Sequence, residues 1–303
     1  MEQKSRFFYE EFSPNYIRGF KVDRLIYEGK TRYQRVKCIE NELFGKVLFL
    51  DEKIQSAQID EHIYHESLIH PAMMMHPHPR KVLVIGGGEG ATIREVLRHS
   101  TVTEVTMIDI DEELVRICRE YLPEWSGGAF EDPRTKLIFG DAREYCFRTE
   151  DKYDVIVSDL TEPLEEGPSL FLFTKEFYAR LRELLCDQGL IVLQAGSADP
   201  HYNKFFCSCV KTVESVFPSV RPYWTFVFSF GLPWGFVLGG LSEKLRRLSE
   251  SDLSELWEAR KLPNLELYHP GLHRRLFILP AYLERRIAHG RVLTDSEPYI
   301  WRL

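Results

Sequence analysis

The chain has 303 residues, of which 44% are apolar and 28% charged, and its formal net charge is −7. This length suits one large α/β domain or one domain with a smaller companion, and the apolar fraction is ample for a folded core. The negative charge leaves no basic footprint for nucleic acid, and no apolar run reaches the length of a membrane-spanning helix.

The cysteines and the N-terminal residues predict a cytoplasmic protein. The residues from Met1 to Phe8 lack the apolar core of a signal peptide. Cys207 and Cys209 form the only close cysteine pair, a spacing that packing on a helix explains better than metal ligation does. The cysteines contain no C-x-x-C motif, which favours a reducing compartment; they are Cys38, Cys118, Cys146, Cys186, Cys207 and Cys209. We therefore predict no bound metal.

The first 75 residues are predicted to be rich in β-strands. Short alternating segments begin at Arg24, Gln34 and Gly45, with turn residues at the breaks, as in hairpins. A helix follows from about Glu61 to Met74. We predict a small antiparallel N-terminal β domain with a linking helix over residues 1–75, followed by a second domain over residues 76–303.

From Lys81 onward, strands alternate with helices. The predicted strands are 82–85, 104–109, 136–139, 154–158 and 189–194, and the predicted helices are 91–98, 112–121, 142–148, 174–186 and one near 202–216. Apolar runs at 220–229 and 234–239 follow, and then a C-terminal extension with helical patterns. This alternation predicts an α/β fold with a Rossmann-like, doubly wound and mostly parallel sheet.

A glycine-rich turn follows the first of these strands. Residues 86–90 contain four glycines and one acid, Glu89, and they precede a helical pattern, so a ligand can approach main-chain N–H groups there. The next strand ends at Asp109, where a nucleotide-binding unit places the carboxylate for the ribose hydroxyls. Because Glu89 would repel a pyrophosphate, a cationic nucleoside such as S-adenosylmethionine or its decarboxylated form suits the turn better than NAD.

Five acidic residues are predicted to meet at the carboxyl edge of the sheet: Glu89, Asp109, Asp141, Asp159 and Glu162. A single acid at a strand end is more often a helix cap or a turn former. Five together raise one another's pKa and cost stability unless a cation binds among them. The cluster therefore predicts one or two positively charged ligands.

Six blocks of sequence between about residues 20 and 285 resemble the polyamine aminopropyltransferases, the spermidine and thermospermine synthases. The blocks are Gly86–His99 (GGGEGATIREVLRH), Asp60–Glu66 (DEHIYHE), Asp109–Glu113 (DIDEE), Gly140–Arg143 (GDAR), Asp159–Pro163 (DLTEP) and His273–Pro280 (HRRLFILP). The resemblance implies a class I methyltransferase-like fold and the transfer of an aminopropyl group from decarboxylated S-adenosylmethionine to a di- or polyamine. It also implies that methylthioadenosine is released, that the donor is a co-substrate rather than a tightly bound cofactor, and that the protein is a homodimer or homotetramer.

The resemblance also implies roles for individual residues. Asp109 would take the ribose hydroxyls, Asp141 the adenine amino group, and Glu89 the aminopropyl end of the donor. The complete donor set is Gln34, Leu50, Gln55, Gly86, Gly88, Glu89, Asp109, Ile110, Asp141 and Ala142. Asp159 is the expected catalytic acid, assisted by Tyr64. The expected acceptor residues are His65, Glu162, Gln194, Phe230 and Trp234.

The acceptor side departs from the family pattern at two positions. Glu162-Pro163 stands where Asp-Pro is usual, and Phe230 lies near the place of a tyrosine that reaches the acceptor. The acceptor therefore stays open among putrescine, agmatine, cadaverine, spermidine and longer polyamines. Two other functions also stay open: a small-molecule methyltransferase that uses S-adenosylmethionine, and a catalytically silent polyamine-binding protein.

Overall fold

The computed structural model describes residues 6–13, 15–242 and 248–301. Its N-terminal part contains two antiparallel sheets, as the hairpin pattern predicts. The first pairs Phe7–Ser13 (β1) with Tyr16–Lys21 (β2). The second has four strands in chain order: Arg24–Lys30 (β3), Arg35–Asn41 (β4), Gly45–Leu50 (β5) and Lys53–Ala57 (β6).

A buried helix, Glu61–Met75 (α1), follows these sheets. Every side chain from Tyr64 to Met75 is buried, so the helix is covered on all sides rather than along one stripe. Asp60 precedes the helix and accepts a hydrogen bond from the main-chain N of Ser229 at 2.6 Å. This bond ties the start of the helix to the segment around Ser229, so its first turns can present side chains at fixed positions.

The central sheet has seven strands: Lys81–Gly86 (β7), Glu104–Asp109 (β8), Thr135–Phe139 (β9), Tyr153–Asp159 (β10), Leu185–Ser197 (β11), Ser219–Val227 (β12) and Leu232–Gly240 (β13). Their order is β12-β13-β11-β10-β7-β8-β9. β7 to β11 are parallel, whereas β12 and β13 form an antiparallel hairpin at one edge. The predicted Rossmann-like, mostly parallel sheet is confirmed. Since β7 lies between β8 and β10, the chain order reverses there, and such switch points form ligand crevices.

Helices cover the sheet: Ala91–Leu97 (α2), Glu112–Tyr121 (α3), Pro123–Ser126 (α4), Ala142–Arg148 (α5), Lys175–Glu183 (α6) and Lys204–Glu214 (α7), and then Glu250–Ala259 (α8), Pro270–Leu276 (α9) and Ala281–Ile287 (α10). The predicted helix over 174–186 was too long. It ends at Glu183 because Leu185 already pairs with Tyr153 at the start of β11. Across the described ranges, these helices lack the length and apolarity needed to cross a membrane.

One hydrophobic cluster includes residues from both sides of the predicted domain boundary at residue 75. Phe20, Val47 and Phe49 of the N-terminal sheets belong to the same cluster as Val82 and Val84 of β7. The N-terminal strands and the central sheet thus share one hydrophobic core. The division into domains at residue 75 stays a prediction.

The Glu66 carboxylate joins α1 to the C-terminal extension. It is 2% exposed and accepts main-chain N–H groups from Glu266, Leu267 and Tyr268 at 2.7–3.0 Å. We expect Glu66→Gln to lower the free energy of unfolding by about 2–4 kcal/mol, because an amide NH2 would face buried N–H donors. Thermal unfolding would show a Tm several degrees lower. The exposed Glu255→Gln is the matched control, and equal Tm values for the two variants would contradict the assignment.

Candidate active site

A cavity of about 430 Å³ lies at the carboxyl ends of β7, β8 and β10, next to the N-terminal sheet. All but one of the predicted site residues line it; the exception is His65. The lining set comprises Gln34, Leu50, Gln55, Tyr64, Gly86, Gly88, Glu89, Asp109, Ile110, Asp141, Ala142, Asp159, Glu162, Gln194, Phe230 and Trp234. The fold thus brings together residues that lie as much as 200 positions apart in the chain.

The glycine-rich turn touches the end of β10. Gly86 has φ +81°, and a Cβ there would lie 2.1 Å from the main-chain oxygen of Asp159. Gly87 has φ +79°, and its N–H donates to the same oxygen at 3.0 Å. Glycine is required at Gly86 on both counts, since L-residues rarely adopt this conformation and no side-chain atom fits. The glycine-rich turn and the end of β10 are therefore in direct contact.

Asp109 lies beside this turn at the end of β8. Its Oδ1 accepts the main-chain N–H of Asp111 at 2.9 Å, and a Cβ at Gly88 would meet its Oδ2 at 3.0 Å. Burial raises the pKa of Asp109 to about 7, and the charges of Asp111 and Asp159 add to this effect. The ionised carboxylate accepts hydrogen bonds from ligand hydroxyl groups more strongly than the protonated form does, so its capacity to bind a hydroxyl changes near neutral pH.

Asp141 caps the helix that follows β9. Its Oδ1 accepts the main-chain N–H groups of Arg143 at 2.7 Å and Glu144 at 3.1 Å. Neither bond uses Oδ2, and the side chain lines the cavity. Asp141 can therefore cap the helix and also bind a ligand. The cap fixes the carboxylate through Oδ1, and Oδ2 remains free to accept from a donor on the ligand.

Tyr64 and Asp159 form a hydrogen-bonded pair inside the cavity. The Tyr64 hydroxyl donates to Asp159 Oδ1 at 2.6 Å, and the Thr92 hydroxyl donates to Oδ2. Burial, followed by the adjacent Asp159 charge, raises the pKa of Tyr64 well above its usual value, so the tyrosine stays a donor. Both carboxylate oxygens are held, which orients Asp159 and leaves its remaining lone pairs for an incoming group.

The side of the cavity around Glu162 combines this carboxylate with aromatic side chains. Burial raises the pKa of Glu162. Trp234 Nε1 donates to Gln194 Oε1 at 3.2 Å, and the ring of Phe230 lies edge-on to Trp234 with centroids 4.8 Å apart. The Gln194 amide nitrogen donates to the main-chain oxygen of Leu160. Both ends of the Gln194 amide are thus bonded to other protein groups, and these bonds fix its position in the cavity wall.

A second cavity of about 120 Å³ adjoins the first on the side of Glu162. The two share Gln55, Glu162, Phe230 and Trp234 among their lining residues. The second extends toward the N-terminal hairpin, where Glu10 and Arg18 form a salt bridge of 2.6 Å. The two cavities together therefore have room for a longer ligand than the first cavity alone would take.

The structure places His65 behind the cavity wall, not in it. The side chain is buried, and its Nε2 lies 2.8 Å from Glu89 Oε1. Its Nδ1 lies 2.8 Å from Glu61 Oε2 and 2.7 Å from the main-chain oxygen of Glu61. Both ring nitrogens are engaged by protein oxygens, so His65 contacts the site through Glu89.

Sequence reasoning did not single out several residues that line or support the cavity. Thr92 belongs to the glycine-rich block, and its place in the first turn of α2 was the available signal. Tyr33 and the loop over 164–169 also line the cavity. No local pattern marks that loop as part of a site, since its contact with the cavity depends on how the chain returns after β10.

Two family models match the chain. A family model described as "Spermine/spermidine synthase domain" matches residues 61–244, and one described as "Spermidine synthase tetramerisation domain" matches residues 7–58. The chain belongs to this family. The predicted aminopropyltransferase is confirmed, and so is the use of the donor as a co-substrate.

Similar proteins match the chain over nearly its whole length. A protein of Hyperthermus butylicus named polyamine aminopropyltransferase 2 is 43% identical over 280 residues, which are 92% of this chain and 91% of that protein. A polyamine aminopropyltransferase of Saccharolobus islandicus is 40% identical over 94% of this chain and 95% of its own length.

Two crystal structures of spermidine synthases have the same fold. One is described as a complex with the transition state analogue AdoDATO; it has a TM-score of 0.87 and 30% identity, covering 95% of this chain and 96% of that one. The spermidine synthase of Thermotoga maritima has a TM-score of 0.85 and 29% identity, with the same coverage. The chain thus shares its overall fold with these spermidine synthases.

Proposed function

We propose that this aminopropyltransferase carries out its reaction in the cavity around Asp159, with the donor on the Asp109 side and the amine on the Glu162 side. The observation that carries this assignment is the Tyr64–Asp159 pair, which lies in the same cavity as Glu89, Asp109 and Glu162. The acids that line the cavity favour ligands with positive charge, which fits a sulfonium donor and a polyamine acceptor.

The chemistry requires a neutral amine. An alkylammonium has no lone pair, so it must lose a proton before its nitrogen can attack carbon. We propose that Asp159 accepts this proton while Tyr64 and Thr92 hold the carboxylate. The nitrogen then forms a bond to the aminopropyl carbon next to sulfur, the C–S bond breaks, and its electron pair stays on sulfur. The leaving group is neutral methylthioadenosine, so positioning supplies much of the acceleration.

Glu89 supports the choice of the decarboxylated donor. S-adenosylmethionine carries a carboxylate at the end of its tail, whereas the decarboxylated form carries only an ammonium there. A carboxylate on the cavity wall attracts the ammonium and repels the carboxylate. This argument disfavours the methyltransferase alternative, and the Tyr64–Asp159 pair disfavours the silent binder.

We further propose a homo-oligomer in the cytoplasm. The match of residues 7–58 to a tetramerisation domain supports an oligomer, and a tetramer over a dimer. The cysteines, all free in the structure, fit a reducing compartment. Light scattering of the purified protein measures the assembly, and a monomer at micromolar concentration would contradict it.

A product assay tests the proposed function directly. The protein is incubated with decarboxylated S-adenosylmethionine and each of putrescine, agmatine, cadaverine, spermidine and spermine, and the products are resolved by mass. We expect methylthioadenosine together with an amine heavier by one aminopropyl unit. The amine that is converted fastest is identified as the preferred acceptor. S-adenosylmethionine in place of the donor is the control, and a methylated product would establish the alternative.

The binding of methylthioadenosine is expected to depend on pH through Asp109. Because the pKa of this carboxyl is raised to about 7, it is largely protonated below that pH and can then accept only weakly from ribose hydroxyls. Affinity should rise with pH, level off above about 8, and fall about tenfold for each unit below 7. Calorimetry between about pH 5.5 and 8.5 measures it. Asp109→Asn should bind weakly and without this pH dependence; a flat wild-type profile would contradict the assignment.

A further inference from the structure

Both oxygens of the Glu89 carboxylate are held from behind the cavity wall. Oε1 pairs with His65 Nε2 at 2.8 Å, and Oε2 accepts from the Ser56 hydroxyl at 2.6 Å. The side chain of Glu89 is 11% exposed, and His65 and Ser56 are buried. These two contacts fix the direction in which the carboxylate faces the cavity.

The two supports, His65 and Ser56, are connected to each other through Arg94. On one side, Glu61 Oε2 lies 2.8 Å from His65 Nδ1 and accepts from Arg94 Nη2 at 2.9 Å. On the other side, Trp125 Nε1 donates to Ser56 Oγ at 2.9 Å, and the Trp125 main-chain oxygen accepts from Arg94 Nη1 at 2.7 Å.

The contacts therefore close into one ring, which we call the Glu89 ring: Glu89, His65, Glu61, Arg94, Trp125 and Ser56. It joins β6, α1, the glycine-rich turn, α2 and α4.

His65 is charged within this ring. Its two nitrogens face only oxygen acceptors, so both must carry a proton. Burial would lower the pKa of His65, but the hydrogen bonds and charges of Glu61 and Glu89 outweigh it and raise the pKa to about 10. Burial would likewise raise the pKa of Glu61, but His65 and Arg94 lower it to about 2. Charges thus alternate along the ring from Glu89 to Arg94, and each is compensated without a ligand.

We propose that His65 and Glu61 are positioning residues for the donor, which hold Glu89 so that its carboxylate meets the aminopropyl ammonium, and that His65 does not contact the acceptor. This inference rests on the proposed function, since it assigns Glu89 to the tail of the decarboxylated donor. A carboxylate free to rotate would lose orientation and would attract the ammonium less well. Glu61 and Arg94 do not line either cavity, so they act on the ligand only through the ring.

The test separates the two substrates by their KM values. His65→Gln can keep only one of the two contacts, and Glu61→Gln removes the charge behind His65 without touching the cavity. We expect each to raise the KM for decarboxylated S-adenosylmethionine about tenfold or more, as expected for loss of a charge-assisted hydrogen bond. The KM for the amine and the Kd of methylthioadenosine, which lacks the aminopropyl group, should change less than about twofold.

The matched control is Glu66→Gln, on the same helix and next to His65. It lowers Tm through the C-terminal extension and should leave the donor KM unchanged. Ser56→Ala tests the second support, and the double variant with His65→Gln should show a non-additive effect because both hold one carboxylate. If His65→Gln fails to fold, the donor KM of Glu61→Gln still tests the proposal.

Two outcomes would overturn the inference. A selective rise in the KM for the amine in His65→Gln would mean that His65 binds the acceptor. Unchanged donor KM values in both His65→Gln and Glu61→Gln, with normal wild-type turnover, would mean that the ring does not position the donor. Failure of the proposed function itself is recognised separately, because the wild-type protein would then form no aminopropylated product.

Discussion

Asp159→Asn is expected to reduce the rate of aminopropyl transfer about a thousandfold, the middle of the range for a lost general base. The asparagine oxygen can still accept from Tyr64 or Thr92, so the cavity keeps its shape, but the amide cannot take a proton from the amine. Methylthioadenosine does not need that proton transfer, and its Kd should stay within about twofold of the wild type. Single-turnover kinetics and calorimetry measure the two quantities.

Asp154→Asn is the control for this variant. Asp154 lies at the opposite end of β10, where it accepts main-chain N–H groups from Arg80 and Lys81 at 2.7 and 2.9 Å. Damage to the strand would appear in both variants as a lower Tm, whereas only Asp159→Asn should lose kcat. Near-normal turnover in Asp159→Asn would remove Asp159 from the role of base and leave positioning as its function.

Gly86→Ala is expected to weaken methylthioadenosine binding about a hundredfold or more, because it combines backbone strain with a steric clash. The new Cβ would lie 2.1 Å from the main-chain oxygen of Asp159, at a φ of +81°. The turn must therefore move away from β10, and it carries Gly88 and Glu89 with it. Calorimetric titration with methylthioadenosine measures the loss.

Gly128→Ala is the control that distinguishes the effect of backbone strain from the effect of the steric clash in Gly86→Ala. Gly128 has φ +85°, close to that of Gly86, but nothing lies within 4 Å of a Cβ built there. This control should cost only about 1 kcal/mol of stability, and it should bind methylthioadenosine normally. If the two variants bound the ligand equally well, the contact between the turn and β10 would not be needed for the donor site.

The order of strands and helices could be predicted because it depends on local patterns. Strand 104–109 and helix 112–121 were predicted with the bounds that the structure gives them. The spacing of apolar residues and the position of glycines at the breaks indicate such elements directly. The helix predicted over 174–186 was wrong at its end, because the pairing of Leu185 with Tyr153 is a tertiary contact that no local pattern reports.

Much of the cavity lining could be predicted from the strand pattern and the family resemblance together. Parallel strands place their carboxyl ends at one edge of the sheet, so Asp109 and Asp159 were expected to lie close together there. The family resemblance added residues from other elements, such as Gln34 and Trp234. The second cavity toward Glu10 could not be predicted, because it depends on how the N-terminal hairpin packs against the β12–β13 hairpin.

The orientation of the His65 side chain could not be predicted from the amino-acid sequence. The amino-acid sequence places it beside Tyr64 on a helix, and neighbouring residues on a helix point in different directions, about 100° apart. Which of the two enters the cavity depends on how α1 is rotated against α2 and the glycine-rich turn. The sequence was enough for the family, the sheet and the set of acids, because these follow from local periodicity and motif spacing. Only the tertiary structure could assign His65 to Glu61 and Glu89, because side-chain direction is decided by packing between elements that are far apart in the chain.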